Sequence, residues 1–323
     1  MKTKVIFTVD TEPSIAGALS DTRLKPLIHE PVWGEVRGRS EALGFITRTL
    51  SQHQIPATFF VETLNNAYFG DQMRPYVEHL LDNTFDVQLH LHPVWLNYAK
   101  DNRTTYNDNC TDLPSAQLQQ LIENGMQTLE DWTGSRPVAM RTGNFSASDR
   151  VFAAMDKAGI SLSSNICVSV NPPKDAQLNL SGGAFSIHQV MELPATCFID
   201  NSLVGRGRWR TMQITSCSAD ELCSLLDQAQ HAAVEYIVLV THPFEFIKKK
   251  GWQYKNLTRN ALIQHRLERL CQHLDNNRDR FEPTDIKTLL DSGLIRAAAA
   301  PTLYGNKLQA LSRAAQNLLN DIF

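Results

Sequence analysis

Short apolar runs alternate along this chain with stretches whose apolar positions recur every three to four residues. Residues 5–9, 57–61, 85–91, 138–141, 187–193, 212–215 and 236–240 read as strands, the last being the most apolar. Residues 42–53, 74–82, 116–132, 149–158, 219–233 and 260–276 read as helices, and Gly159 is a natural stop for the fourth of them. Strand and helix alternating at this spacing predict a parallel sheet built from βαβ units. With roughly seven or eight strands, a closed or nearly closed barrel is favoured over an open sheet, and in such folds the chemistry sits at the C-terminal ends of the strands.

Three segments break the pattern: 12–38, 96–113 and 169–183, all rich in Asn, Asp, Pro, Gly and Ser. They are either plain surface loops or the rim of a substrate groove. A first unit is expected over 1–294 and a helical extension over 295–323. In that extension Leu308, Leu311, Ala315, Leu318, Leu319 and Ile322 recur at helical spacing. The expectation is a helix docked on the barrel by this stripe; the alternative is a dimerising or partner-binding helix that makes the protein a homo-oligomer.

Composition narrows the function. With 42% hydrophobic and 20% charged residues, the chain can bury a large core and is not a disordered segment. A net charge of −3 gives no basic balance that would argue for nucleic acid. Cys110, Cys167, Cys197, Cys217, Cys223 and Cys271 form no Cys-x-x-Cys pair, so reduced thiols are expected rather than a thiolate metal site. The first residues run straight into a strand, with no apolar segment before a cleavage site and no stretch able to span a bilayer. A cytoplasmic protein with a cytosolic substrate, such as a nucleotide-linked or lipid-linked sugar, is the expectation.

Four polar clusters fall where the barrel logic puts active-site groups. Asp10-Thr11-Glu12 closes the first strand, and burying such carboxylates is costly unless they are paired or bind metal. His90 and His92 end the third strand. Residues two apart in a strand share a face, and two imidazoles with a carboxylate make an open zinc-type site. Arg141-Thr142-Gly143-Asn144 follows the fourth strand, and Thr241-His242-Pro243 follows the most apolar one. Singly, each has a structural explanation: a satisfied histidine, a helix cap, or a salt bridge from Arg141 to Asp10 or Glu12. Together at strand ends they point to one site.

These residues resemble the polysaccharide deacetylase (NodB-homology) family. The resemblance runs in order through Phe7-Thr8-Val9-Asp10-Thr11-Glu12, Ala57-Thr58-Phe59-Phe60-Val61, Asp86 to Pro93, Arg141 to Phe145 and Leu239 to Pro243. It implies an α/β fold, a distorted (β/α) barrel of about seven parallel strands. It further implies a bound divalent metal, most often Zn2+, and hydrolysis of N- or O-acetyl groups on a carbohydrate or glycoconjugate. The chain departs from the family pattern in three places. Asp10-Thr11-Glu12 replaces adjacent aspartates, His92 stands two residues after His90 where a spacing of four is usual, and Gly143 replaces a proline. Trp209 is the weak candidate for the family's Trp-lined wall.

On the family pattern Asp10 takes the general-base position, held by Arg141, and His242 that of the general acid. Glu12, His90 and His92 become the metal ligands, with the choice of metal carboxylate between Asp10 and Glu12 left open. Two rivals remain at this stage: another metal-dependent amidohydrolase acting on a small cytosolic amide, and a catalytically inactive carbohydrate-binding protein.

Overall fold

A computed structural model describes residues 1–99, 107–202, 207–293 and 295–322, the side chains of 321 and 322 excepted. The expected loop 96–113 therefore lies partly outside the described residues, and its start is a short helix, Val94–Ala99. The first half of the chain supplies β1 (Thr3–Thr11), the small hairpin β2 (Glu35–Val36) and β3 (Arg39–Ser40), β4 (Thr58–Glu62), β5 (Asp86–Leu91), β6 (Ala139–Thr142) and β7 (Leu162–Ser163). The second half supplies β8 (Gly183–Ile187), β9 (Val190–Glu192), β10 (Cys197–Asp200), β11 (Arg208–Thr211), β12 (Tyr236–Thr241), β13 (Ile247–Lys250), β14 (Lys255–Arg259), β15 (Phe281–Thr284), β16 (Ala298–Ala299) and β17 (Leu303–Tyr304).

Among the described residues these make a curled ten-stranded sheet in the order β12-β1-β4-β5-β6-β7-β9-β8-β16, with β15 also paired to β1. The pairings from β12 through to β9 are parallel, and β8 and β16 join antiparallel at the far end. Strand β1 lies at the centre because it can be buried on both faces: every residue but Lys4 is buried. β15 pairs with its first half and β4 with its second. Helices Leu43–Gln52, Arg74–Asp82, Ser115–Thr133 and Asp149–Ala158 cover the sheet with their apolar stripes. Their ends follow local chemistry. The Ser148 side chain caps the first turn of Asp149–Ala158 by accepting from the Val151 N–H, and Gly159 ends that helix at φ 80°.

Two expected strands are corrected. Residues 187–193 are not one strand: they hold the end of β8, the turn at 188–189 and all of β9, and His188 in that turn takes φ 54° where Gly or Asn is usual, so the turn carries no sequence mark. Residues 212–215 lie beyond β11 and make a single parallel bridge, Gln213 with Val240 of β12, too short to count as a strand; the buried Met212 and Ile214 produce the apolar alternation. The Lys-rich hairpin β13–β14 has no apolar alternation to announce it.

The C-terminal helix Lys307–Ile322 does dock, but not by the expected stripe. Leu308, Leu311, Leu318 and Leu319 are exposed. Its inner face carries Ala310 and Arg313, and the Arg313 guanidinium binds Glu221 at 2.5 and 2.6 Å and Asp200 at 3.0 Å. No helix among the described residues is long and apolar enough to cross a membrane.

Candidate active site

The parallel register brings the chemistry to one end of the sheet. Glu62 lies level with His90, His90 with Arg141, and Val9, one residue before Asp10, with Thr241. Asp10, His90, Arg141 and His242 thus rise from the C-terminal ends of four strands, and Glu12 from the turn after β1.

Glu12, His90 and His92 converge. Oε2 of Glu12 lies 2.7 Å from Nε2 of His92 and 3.2 Å from Nε2 of His90. The other nitrogen of each ring is committed. His90 Nδ1–H donates to the Arg141 carbonyl at 2.8 Å, and His92 Nδ1 meets the Asp108 carboxylate at 2.7 Å. Asp108 also accepts from the Val94 N–H and from the Asn144 side chain. Both rings are thereby turned so that Nε2 faces Glu12. The one donor atom offered by each of the three residues lies within 4.8 Å of the others.

Gly143 explains one departure from the family pattern. A Cβ there would lie 2.4 Å from Nδ1 and 2.5 Å from Cε1 of His92. The imidazole two residues after His90 occupies space that a proline or any other side chain at 143 would fill.

Beside this trio, Arg141 is wholly buried and fixed at every donor group. Its Nη1 donates to Asp10 Oδ1 at 2.6 Å, its Nε to the Ser164 carbonyl at 3.0 Å and its Nη2 to the Ser164 hydroxyl at 2.8 Å. Phe60 and Phe145 pack on the guanidinium. The second Asp10 oxygen stays 3.8 Å from His242 Nε2, too far for a hydrogen bond, while His242 Nδ1–H donates to Glu245 at 2.9 Å. Glu245 also accepts from the Thr241 hydroxyl and the Gln213 amide.

The local charge is lopsided. Asp10, Glu12, Asp108 and Glu245 crowd a space whose fixed positive charge is Arg141. Burial alone would lower the His242 pKa, but Glu245, Asp10 and Glu12 outweigh it and raise it to about 9. His92 is likewise raised well above its usual value against burial, by Glu12 and Asp108. Glu12 is held well below the usual carboxylate range, the two imidazoles overcoming its burial. Two imidazole nitrogens and a carboxylate with this excess of negative charge suit a small divalent cation.

All six residues singled out in the sequence lie in this one region. Trp209 sits on β11 beside Asp200, Thr211 and Gln213, in a separate hollow. Sequence reasoning missed Asp108, Glu245, Ser164 and the role of Gly143. Of these, only Glu245 left a signal: a carboxylate three residues after the strand-end His242, returned to the imidazole by the turn Pro243–Phe246.

Residues 37–163 match the family model for polysaccharide deacetylase. No curated protein matches the chain. Among solved structures, the fold is similar to that of a Mycobacterium smegmatis protein described as a candidate polysaccharide deacetylase. There the TM-score is 0.55 and the identity 15%, over 93% of this chain and 94% of that one. A second such protein, from Pseudomonas aeruginosa PAO1, gives a TM-score of 0.51 and 12% identity over 90% of each chain. Puue allantoinase gives 0.50 and 12%, over 90% of this chain and 89% of that one. At these identities the likeness is one of fold.

Proposed function

We propose, from the premise that this chain is a divergent member of the polysaccharide deacetylase family, that it is a divalent-cation-dependent hydrolase removing an acetyl group from an acetylated sugar. The reading is carried by the convergence of Glu12, His90 and His92 beside a buried Asp10–Arg141 pair and His242. Glu12, His90 and His92 would hold the cation, and the two-nitrogen, one-oxygen donor set favours Zn2+. Bound there, it would supply Lewis acidity at the acyl carbonyl and make water a better nucleophile near neutral pH.

The remaining work falls to this chain's own residues. Asp10 is the general base: Arg141 occupies one of its oxygens, which leaves the other to take a proton from the attacking water. His242 is the general acid. It faces that free oxygen across a 3.8 Å gap, with its Nδ1 anchored on Glu245, so its Nε2 proton can pass to the departing nitrogen. An amine leaves poorly unless protonated, and Glu245 keeps the imidazole charged to supply that proton. Arg141, held by Ser164, fixes the base and does not touch substrate.

The test is acetate release from a panel of acetylated sugars, with a small cyclic amide alongside, by the protein loaded with Zn2+ and by the chelated protein. Release from a sugar that stops on chelation supports the reading. Equal release after chelation, or hydrolysis of the cyclic amide alone, overturns it.

A further inference from the structure

Next to the active site lies a second cleft of about 810 Å³, between the β2–β3 hairpin and β14. Three arginines line it: Arg37, Arg39 and Arg259. Among the described residues none of them forms an ion pair. Two acids, Glu35 and Glu41, line the cleft as well; Glu41 accepts from the Gln264 amide at 2.9 Å and Glu35 lies 4.0 Å from His29. A fourth, Arg48, borders an adjoining hollow with Arg39 and Arg259, and its Nε is buried without a partner. Burial and Arg39 disfavour its charge, and Glu41 offsets them in part. Three exposed guanidinium groups against two carboxylates leave the cleft with a net positive charge in a chain of net charge −3.

The backbone carries an independent sign. Arg37, Tyr254 and Asn256 all line the cleft, and all adopt left-handed φ, at 54°, 53° and 53°. Arg37 and Gly38 form the two-residue turn between β2 and β3, where both take positive φ and where Asn or Gly ordinarily stands in place of an arginine. Arg37 and Tyr254 are strained there in a way that Asn256 is not, and strained positions of this kind cluster at ligand clamps. The cleft also abuts the catalytic groups. Tyr254 lies beside Ser14, two residues after Glu12, and feels the Glu12 charge. Phe244 packs in the same small cluster as Tyr254 and stacks on His242 at 4.9 Å.

We propose that this arginine-lined cleft binds a phosphate or diphosphate group carried by the sugar substrate. Planar guanidinium forks match phosphate oxygens two at a time, and three of them line this cleft, more than a neutral glycan would need. The inference rests on the deacetylase reading for its substrate, but not for its test.

The probe is inorganic pyrophosphate, titrated calorimetrically into the full chain at about 0.15 M salt, where weak surface pairing is screened. One saturable site per chain is expected in the wild type. It should weaken at least tenfold in Arg39→Gln/Arg259→Gln, both exposed positions whose change leaves the thermal melt in place. It should persist in His92→Ala, which separates the cleft from the cation site. Absence of saturable binding, unchanged affinity in the double variant, or loss in His92→Ala overturns the proposal. Pyrophosphate binding without acetate release from any sugar would sink the deacetylase reading alone. Acetate release without pyrophosphate binding would sink this one alone.

Discussion

Replacing Glu245 by Gln tests the acid arm of the site with little steric change. The amide oxygen can still accept from His242 Nδ1–H, so the ring stays oriented and only the negative charge is lost. Glu245 is the strongest of the influences that raise the His242 pKa against burial. With its pKa at about 9, His242 is protonated in about nine of ten molecules at pH 8. Without Glu245 the value falls towards the ordinary ~6.5, with Asp10 and Glu12 still opposing burial; were it to reach that value, only about three in a hundred would remain protonated at that pH. Turnover at pH 8 should therefore fall by up to about 30-fold, yet less than about twofold at pH 6.

Two assays read this prediction. One is the pH profile of kcat; the other is an NMR titration of the His242 ring in cation-free protein. The linkage has the matching sign. A raised histidine pKa stabilises the fold fully below about pH 6.5, and that stability is lost as pH rises through about 9. Between pH 7 and pH 10 the wild type should thus lose more thermal stability than Glu245→Gln. The reasoning is refuted if His242 titrates near 6.5 in the wild type, or if the loss of turnover in the variant is the same at pH 6 and pH 8.

The neighbouring groups carry their own expectations. Asp108→Asn removes the charge that orients His92, and zinc affinity measured by competition with a chelator should weaken about 10- to 100-fold while the fold persists. Gly143→Ala places a Cβ into the His92 ring; it should cost about 1–3 kcal/mol in denaturant unfolding and lower cation occupancy. Arg141→Met leaves Asp10 buried without its partner, and a destabilisation of about 3–5 kcal/mol is expected in the same assay, with turnover abolished.

The general path of the chain was legible because a central parallel strand is apolar on both faces. In β1 and β12 the apolar run stops where the chemistry starts, so Asp10 and His242 stand out as polar residues closing buried strands. His90 and His92 were readable as a pair because strand geometry puts alternate residues on one face. Other features left less trace. Asp108 reaches His92 from a loop rich in Asn and Asp, where nothing in the residue order distinguishes one acid from the next. The conflict between Gly143 and the His92 ring is a contact across the sheet end, visible only once β5 and β6 are in register. The C-terminal helix shows the limit of periodicity. Its leucine stripe is the stronger apolar pattern, yet the buried face is fixed by the ion pairs of Arg313 with Glu221 and Asp200.

Zinc stoichiometry after equilibrium dialysis, measured on the wild type and on His92→Ala, bears most directly on whether one carboxylate and two imidazoles hold a single cation. One zinc per chain in the wild type and a loss of occupancy in the variant are the expected pair of results. Full occupancy in His92→Ala would contradict the assignment of the site.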